Sequence, residues 1–406
     1  MYPSSVSVIS NGTPSCPQAE TPEPGFGLYV HVPFCATRCD FCAFYEEQPS
    51  RDQVDAFLGA MEREFALGPV CPVPGGEVAV FIGGGTPSLL PARDLGRLGS
   101  LVTAWLGAVP FEWTVEMAPS TVKADKLAAL REAGVTRASL GVQSFSDEWL
   151  EKLGRRQSIA QAERAWRLIR EAGFPSTNLD LMFALPGQTP EQWRTELQTA
   201  ASWAPDHIST YCLTPEEDTA LWAKMAAGKH RRDEEQEASL YRQTWAWLDA
   251  HGWEQYEVSN FARSGHACAH NLNVWAMGDW LGVGPGAASQ FRGWRASNPA
   301  DLRLWQEALI RRASGEFPAQ GHEQRVALDD ATLAADALIF GLRLTAGVDL
   351  KGLRKRFPDF SWSKLEAQAE RWFSAGLASR VGDRLQLTVE GRLRADAVGL
   401  DVLEVD

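Results

Sequence analysis

The sequence has no uninterrupted apolar run near the roughly 18–20 residues that a membrane-spanning helix needs. No transmembrane segment is expected, and any membrane contact would be peripheral. Nor does the chain open on a basic stretch followed by an apolar one, so it does not read as a secretory signal. Positive charge is scarce: 52 acidic residues outweigh 39 basic ones, giving a formal charge of −13 with the two signs interspersed. That balance argues against nucleic acid or an anionic surface as the main partner. The most basic short run, Arg354-Lys355-Arg356, reads as a solvated helix face. Cysteine is sparse and unevenly placed, with seven in 406 residues. Three of them crowd between positions 35 and 42, whereas the disulfide frameworks of secreted proteins are spread out. A tight cluster points instead to metal in a reducing compartment, and cytoplasm is the expected location.

What is present is an ordinary globular composition, 45% hydrophobic and 22% charged, in a chain long enough for one large unit and one or two smaller ones. Residues 1–24 are rich in Ser, Pro, Gly and Thr without periodicity and read as a disordered lead-in, with Cys16 a bystander. From Leu28 a unit recurs: a short β-rich run, a polar or glycine loop, then an amphipathic helix. Strands are expected at Leu28–Val32, Val78–Ile82, Trp113–Glu116, Arg137–Val142, Asn178–Phe183, Ile208–Leu213 and Glu254–Val258, and helices at about 51–67, 92–106, 121–133, 159–172, 190–203 and 233–250. In the fourth of these helices Ala162, Ala165, Trp166 and Ile169 recur at i, i+3, i+4 and i+7, one apolar stripe facing a sheet. Alternating strands and helices imply an α/β fold with a parallel sheet and ligands at the strand C-terminal ends. Seven strands suit a partial (βα) barrel over residues 25–294. Beyond about 295, four helical patterns precede Leu385-Gln386-Leu387-Thr388 with a Gly382-Asp383 turn, which reads as a small helical, winged-helix-like C-terminal domain over 295–406.

Cys35-Ala-Thr-Arg-Cys39-Asp-Phe-Cys42 follows the first strand directly. Thiolates are the soft ligands that hold iron–sulfur clusters. Three cysteines satisfy three irons of a cubane and leave the fourth open for a cofactor or substrate. A structural zinc site normally takes four ligands in paired spacings; no second CxxC is present, and His31 is the residue that would complete such a site. Phe81-Ile82-Gly83-Gly84-Gly85-Thr86-Pro87 ends the next strand. Consecutive glycines bring backbone close to a ligand or make a tight turn.

The C-x3-C-x2-C loop after a first strand resembles the radical S-adenosylmethionine (SAM) superfamily, and Phe41 before the last cysteine fits that pattern. There the open iron is chelated by the amino and carboxylate groups of SAM, and the cluster supplies the electron that splits the sulfonium. Further stretches are similar to the oxygen-independent coproporphyrinogen oxidase-like group and, within it, the HemW family of heme chaperones. They are Leu28–Cys35, Leu140-Gly141-Val142-Gln143-Ser144-Phe145, Leu153-Gly154-Arg155 and Asn178–Thr189. By position, the resemblance assigns a [4Fe–4S] cluster to Cys35, Cys39 and Cys42, and a first SAM to Tyr29, Gly84 and Glu116. Phe41, Gly85, Thr86, Gln143, Arg155 and Asp180 match positions that hold a second SAM in the oxidase. Glu116, Gln143 and Asp180 also fall at predicted strand ends, where barrel ligands bind.

Cys268-Ala-His270-Asn-Leu-Asn-Val-Trp275 resembles the HNxxYW stretch associated with heme, with His270 as the implied iron ligand, although Val274 replaces the tyrosine. Gly282-Val-Gly-Pro-Gly-Ala-Ala-Ser289 could pass for a dinucleotide fingerprint, but no helix pattern or acidic partner follows. Phe44 stands where the oxidase has a fourth cysteine, which favours the chaperone. The resemblance thus implies a heme chaperone that binds SAM, heme, heme-acceptor proteins and an electron donor such as a flavodoxin or ferredoxin. Two other readings stay open here: a catalyst of the coproporphyrinogen oxidase or two-SAM methyltransferase type, and a zinc-bound interaction module.

Overall fold

The computed structural model describes residues 25–42, 47–68, 77–214, 216–217, 219–226, 233–313 and 324–405; the 1–24 lead-in with Cys16, and Phe44, lie outside them. Six parallel strands follow one another in sequence and in space: β1 (Phe26–Val32), β2 (Val78–Gly84), β3 (Glu112–Met117), β4 (Arg137–Gln143), β5 (Ser176–Phe183) and β6 (His207–Cys212). Helices α1 (Arg51–Leu67), α2 (Ala92–Leu106), α3 (Ala124–Ala133), α4 (Asp147–Lys152), α5 (Ile159–Glu171), α6 (Pro190–Ser202), α7 (Ala220–Ala226) and α8 (Glu234–Ala250) lie between or after them.

The helix starts are written locally. Ser50 with Gln53, Ser158 with Gln161 and Thr189 with Gln192 form capping boxes that satisfy orphan N–H groups at the starts of α1, α5 and α6. The α5 stripe of Ala162, Ala165, Trp166 and Ile169 is buried as its spacing requires. Along the strands, period-two alternation separates two environments. Leu28, Val30, Val32, Val80, Ile82, Val115, Leu140, Leu179 and Leu181 point outward into the main core under the helices. The inner face carries Tyr29, His31, Glu116, Arg137, Asn178, Asp180, His207 and Ser209, so the concave side of the sheet is polar.

The seventh parallel strand expected at Glu254–Val258 is not there. Glu254–Gln255 (β7) pairs antiparallel with Asn260–Ala262 (β8), which pairs antiparallel with β6. The cause is local turn chemistry: the Glu257 carboxylate accepts from Ser259 N–H at 2.9 Å and Asn260 Nδ2 at 2.5 Å, folding the segment back. On the other side, β9 (Asp279–Val283) adds to β1 in parallel, and β10 (Ala288–Phe291), β11 (Trp294–Ser297) and β12 (Gln324–Ala327) extend the sheet by antiparallel pairing. The sheet therefore runs on to Ala327, past the boundary expected near residue 294. Short helix α9 (Ala269–Trp275) sits across the strand N-terminal ends. Its first turn is capped by Glu112, which accepts from Ala269 N–H at 3.0 Å and His270 N–H at 3.2 Å.

Helix α10 (Leu302–Ala313) packs on α1, and the chain then forms a second core. Here α11 (Asp330–Gly341), α12 (Leu350–Arg356) and α13 (Trp362–Ser374) surround a small sheet of β13 (Val348–Asp349), β15 (Arg384–Leu387) and β14 (Ala378–Val381), with β15 in the middle. Helices α14 (Val389–Arg392) and α15 (Ala395–Leu403) complete this winged-helix-like unit.

The glycine run after β9 is a turn and not a nucleotide loop. Gly284 N–H donates to Glu64 Oε2 at 2.7 Å, and Glu64 also accepts from Asn298 Nδ2 at 2.6 Å and Trp305 Nε1 at 3.2 Å. This buried carboxylate ties α1, the Gly284 turn, the segment after β11 and α10 into one unit. Gly284 has φ +97° and an added Cβ would lie 2.4 Å from the His31 carbonyl oxygen. Gly284→Ala is expected to cost about 2 kcal/mol or more, lowering the thermal midpoint by roughly 4–8 °C. Gly59→Ala, on α1 with nothing near its added Cβ, should leave the midpoint unchanged or raise it slightly. Equal midpoints for the two variants would contradict the packing described.

Candidate functional site

The cysteine loop leaves the sheet where β1 ends. Phe34, fully buried, packs edge-on against Phe57 at 5.2 Å and anchors the exit. Cys35 N–H donates to Glu47 O, and Glu47 N–H to Pro33 O, both at 2.9 Å, closing the loop at its base. Inside it, Cys42 N–H reaches Cys39 O at 3.2 Å, a tight turn that keeps these two cysteines together.

The glycine loop after β2 zips onto the same strand end. Gly85 N–H donates to Val32 O at 2.8 Å and Thr86 N–H to Phe34 O at 2.7 Å. An added Cβ on Gly85 would lie 2.7 Å from Phe34 O, and one on Gly84, at φ +105°, 2.7 Å from the His31 ring. Side chains are excluded there, and Thr86 is brought to the cluster loop with its Oγ1 3.4 Å from Cys35 Sγ. A third loop supports the cysteines from the far side: Asp40 N–H donates to Leu153 O at 3.1 Å, and Asp40 packs over Gly154. Arg155 then lies with its guanidinium 5.8 Å from the Phe41 ring centre, its Nε buried and without a hydrogen-bond partner.

These loops open on a cavity of about 580 Å³ at the C-terminal ends of the parallel strands. Cys35, Cys39, Phe41 and Cys42 line it from one side, and Gly84, Gly85 and Thr86 from the next loop. Glu116, Gln143, Arg155 and Asp180 line the remainder. Gln143 reaches it through a β-bulge between β4 and β5, which leaves this non-glycine residue at φ +69°. Gln157 braces that bulge by donating to Val142 O at 2.9 Å. Met182, Tyr211 and Cys212 also line the cavity and escape the motif-based reading. The signal that finds the first two is alternation, since they sit two residues beyond Asp180 and Ser209 on the same inner face.

Two expected site residues lie elsewhere. Tyr29 is on the inner face beneath the cavity, its hydroxyl 3.2 Å from His31 Nδ1 and its ring beside Phe81 and His270. His270 lies at the opposite end of the sheet, on α9, and is 6% exposed. Burial holds its imidazole neutral, with a pKa lowered to about 4, against the opposing effect of a hydrogen bond to the Ala79 backbone. The Cys268–Trp275 stretch is thus a plug in the strand N-terminal mouth, far from the cysteines.

The two cavity carboxylates are unequal. Burial, then the nearby charge of Asp180, push Glu116 up to about 8, partly offset by Gly84 N–H and Arg137. Asp180 is also raised by burial, but Ser209, Asn178, Arg137 and Ser139 all pull it back down. At neutral pH Glu116 therefore keeps its proton, while Asp180 is the carboxylate better supplied with hydrogen-bond donors.

The site fits an iron–sulfur cluster with a bound cofactor. Three soft thiols lie on one wall, a cradle without side chains lies beside them, and an unpartnered arginine Nε and two carboxylates lie opposite.

Comparison with known proteins agrees. Residues 29–200 match the radical SAM superfamily, and residues 328–394 match the HemN C-terminal domain. The chain is 32% identical over 374 residues to the heme chaperone HemW of Bacillus subtilis, covering 91% of this chain and 97% of that one. It is 35% identical over 387 residues to the heme chaperone HemW of Mycobacterium tuberculosis strain H37Rv, covering 93% and 95%. Among solved structures it resembles coproporphyrinogen III oxidase (HemN) from Escherichia coli, described as a radical SAM enzyme. The TM-score is 0.76, with 25% identity over 94% of this chain and 90% of that one.

The state of Glu116 has a thermodynamic consequence. Between about pH 4.5 and 8 the folded protein keeps a proton there that the unfolded chain has released, so stability falls as pH rises through that window. Glu116→Gln should remove up to about 1 kcal/mol per pH unit of this slope. Denaturant titrations between about pH 5 and 8 measure it. Identical slopes in variant and wild type would show that Glu116 is already ionised at neutral pH.

Proposed function

Because the chain belongs to the radical SAM superfamily and, within it, to the HemW family, we propose that it is a cytoplasmic heme chaperone holding a [4Fe–4S] cluster and SAM. In this reading Cys35, Cys39 and Cys42 ligate three irons, and Gly84 and Glu116 receive the first SAM. Tyr29 supports that site from below. Residues 25–327 form the SAM-binding unit and 328–405 an appended one. The observation that carries the reading is the convergence of three sequence-distant loops on one cavity, thiols on one side and carboxylates on the other. When bound, the reduced cluster supplies the electron that cleaves the sulfonium of SAM. The chain's own residues orient and enclose: the Gly84–Gly85 cradle lets backbone approach the ligand, Thr86 sits at the Cys35 sulfur, and the bulge at Gln143 aims an amide inward.

Heme carriage rests on the HemW relatives. In this fold we assign His270 to the packing of α9, because its ring is enclosed between Tyr29, Phe81 and Ala79 and α9 would have to leave the sheet for iron to reach it. Heme-acceptor proteins and a flavodoxin- or ferredoxin-type electron donor are the partners this function requires. A second reading is favoured by one observation: Phe41, Gly85, Thr86, Gln143, Arg155 and Asp180, the positions matching a second SAM site, line the same cavity. That suits a catalyst of the coproporphyrinogen oxidase type.

The deciding experiment is heme titration of anaerobically reconstituted protein by difference absorption, alongside His270→Ala. Stoichiometric binding in wild type is expected, persisting in the variant within about threefold. Loss of binding in a folded His270→Ala protein would return the iron to His270. No binding to wild type, with SAM cleaved and an organic substrate altered, would replace the chaperone with the catalyst.

A further inference from the structure

The polar inner face of the sheet holds a continuous hydrogen-bonded chain. At its upper end Asp180 lines the cavity. Asn178 Nδ2 donates to Asp180 Oδ1 at 2.8 Å and to Ser139 Oγ at 2.7 Å, and Ser139 Oγ donates to Asp180 Oδ2 at 3.0 Å. Asn178 Oδ1 lies 2.6 Å from His207 Nδ1 and 3.3 Å from Ser209 Oγ. His207 Nε2 lies 2.9 Å from the Tyr256 hydroxyl, which Asn271 Nδ2 on α9 approaches at 3.4 Å.

Donor and acceptor inventory fixes the direction of this chain. Both amide hydrogens of Asn178 are committed, one of them to a carboxylate that can only accept while ionised. Turning the amide over would set its oxygen against that carboxylate. Its Oδ1 must therefore accept, and His207 must carry its proton on Nδ1. Nε2 is then an acceptor, and Tyr256 must donate to it. Every dipole from Asn271 to Asn178 points toward Asp180, and such aligned bonds reinforce one another in a low-dielectric interior. Burial raises Asp180, and Arg137 on the same face opposes that rise; burial, and then Arg137, hold His207 in its neutral form.

The far end is clamped. Thr345 N–H donates to Tyr256 O at 3.0 Å and Thr345 Oγ1 to Gln255 O at 2.9 Å. Glu257 bridges Leu344 across the same strand edge. Trp275 of α9 packs on Phe340, with Arg343 over its ring at 5.0 Å. The C-terminal unit thus holds the residue on which the chain begins.

We propose that His207 and Tyr256 are positioning residues for Asp180, and that this chain couples the α9 plug and the C-terminal unit to the cavity. They act through Asn178 and touch no cofactor. By orienting the Asp180 carboxylate with its acceptor oxygens toward the cavity they suit it to a cationic, hydroxyl-bearing ligand of the SAM type; this part rests on the reading of the cavity as a SAM site.

The test combines two measurements on the reconstituted full-length protein. In 15N-histidine spectra, assigned with His207→Gln, His207 is expected to be neutral and protonated on Nδ1. Tyr256→Phe, which removes one donor at the end remote from the cavity, should weaken SAM binding about three- to tenfold at unchanged iron and sulfide content. Thr210→Val, which removes a buried hydroxyl from the outer face of β6, should bind SAM as wild type does. A proton on Nε2 of His207, or wild-type SAM affinity in Tyr256→Phe, overturns the proposal. Should Tyr256→Phe fail to fold, the tautomer alone decides. If wild-type protein binds no SAM, the cavity reading fails, while the tautomer still tests the chain's direction.

Discussion

Two backbone hydrogen bonds organise the site: Gly85 N–H to Val32 O and Thr86 N–H to Phe34 O. They fuse the end of β2 to the exit of β1, so that the cysteine loop and the glycine loop emerge side by side. The contact is so close that neither Gly84 nor Gly85 has room for a side chain. Everything chemical follows from this seam. Cys35 and Thr86 meet across it, the cradle faces the thiols, and Asp40 and Gly154 brace the loop from the opposite side. A residue larger than glycine at position 85 would push the two loops apart and separate the thiols from the surface meant to receive their ligand.

Below the cavity the structure solves a second problem. A concave sheet whose inner face carries Glu116, Asp180, Arg137, His31 and His207 buries several ionisable groups, and each is costly unless neutralised or hydrogen-bonded. Neutral histidines, a protonated Glu116 and the donor array on Asp180 meet that cost. Helix α9, capped by Glu112, shuts the opposite mouth. The cavity opens at the strand C-terminal ends, away from α9, and of Glu116 and Asp180 it is Asp180 that is best supplied with donors.

Much of this was legible in the chain. The six parallel strands announce themselves through outward apolar alternation, the helices through capping boxes and stripes such as Ala162–Ile169, and the grouping of Cys35, Cys39 and Cys42 on one cavity wall through their close spacing. What was not legible depends on partners distant in sequence. Glu254–Val258 has strand-like composition, yet Glu257 turns it into a hairpin, and β9 joins β1 on the strength of pairing that local pattern does not encode. His270 sits in a stretch that resembles a heme motif, but only the fold reveals that Tyr29, Phe81 and Glu112 enclose it. The left-handed backbone of Gln143 and the chain from Tyr256 to Asp180 are likewise products of register, since they require β4, β5 and β6 to be in place first.

The central claim is that three cysteines hold a cluster with one iron open toward SAM. Electron paramagnetic resonance of the dithionite-reduced, reconstituted protein, recorded with and without SAM, tests it most directly. A [4Fe–4S] signal whose line shape changes on adding SAM, and is absent from Cys39→Ala, is the result predicted. An unchanged spectrum with SAM, or a full cluster signal in Cys39→Ala, would contradict it.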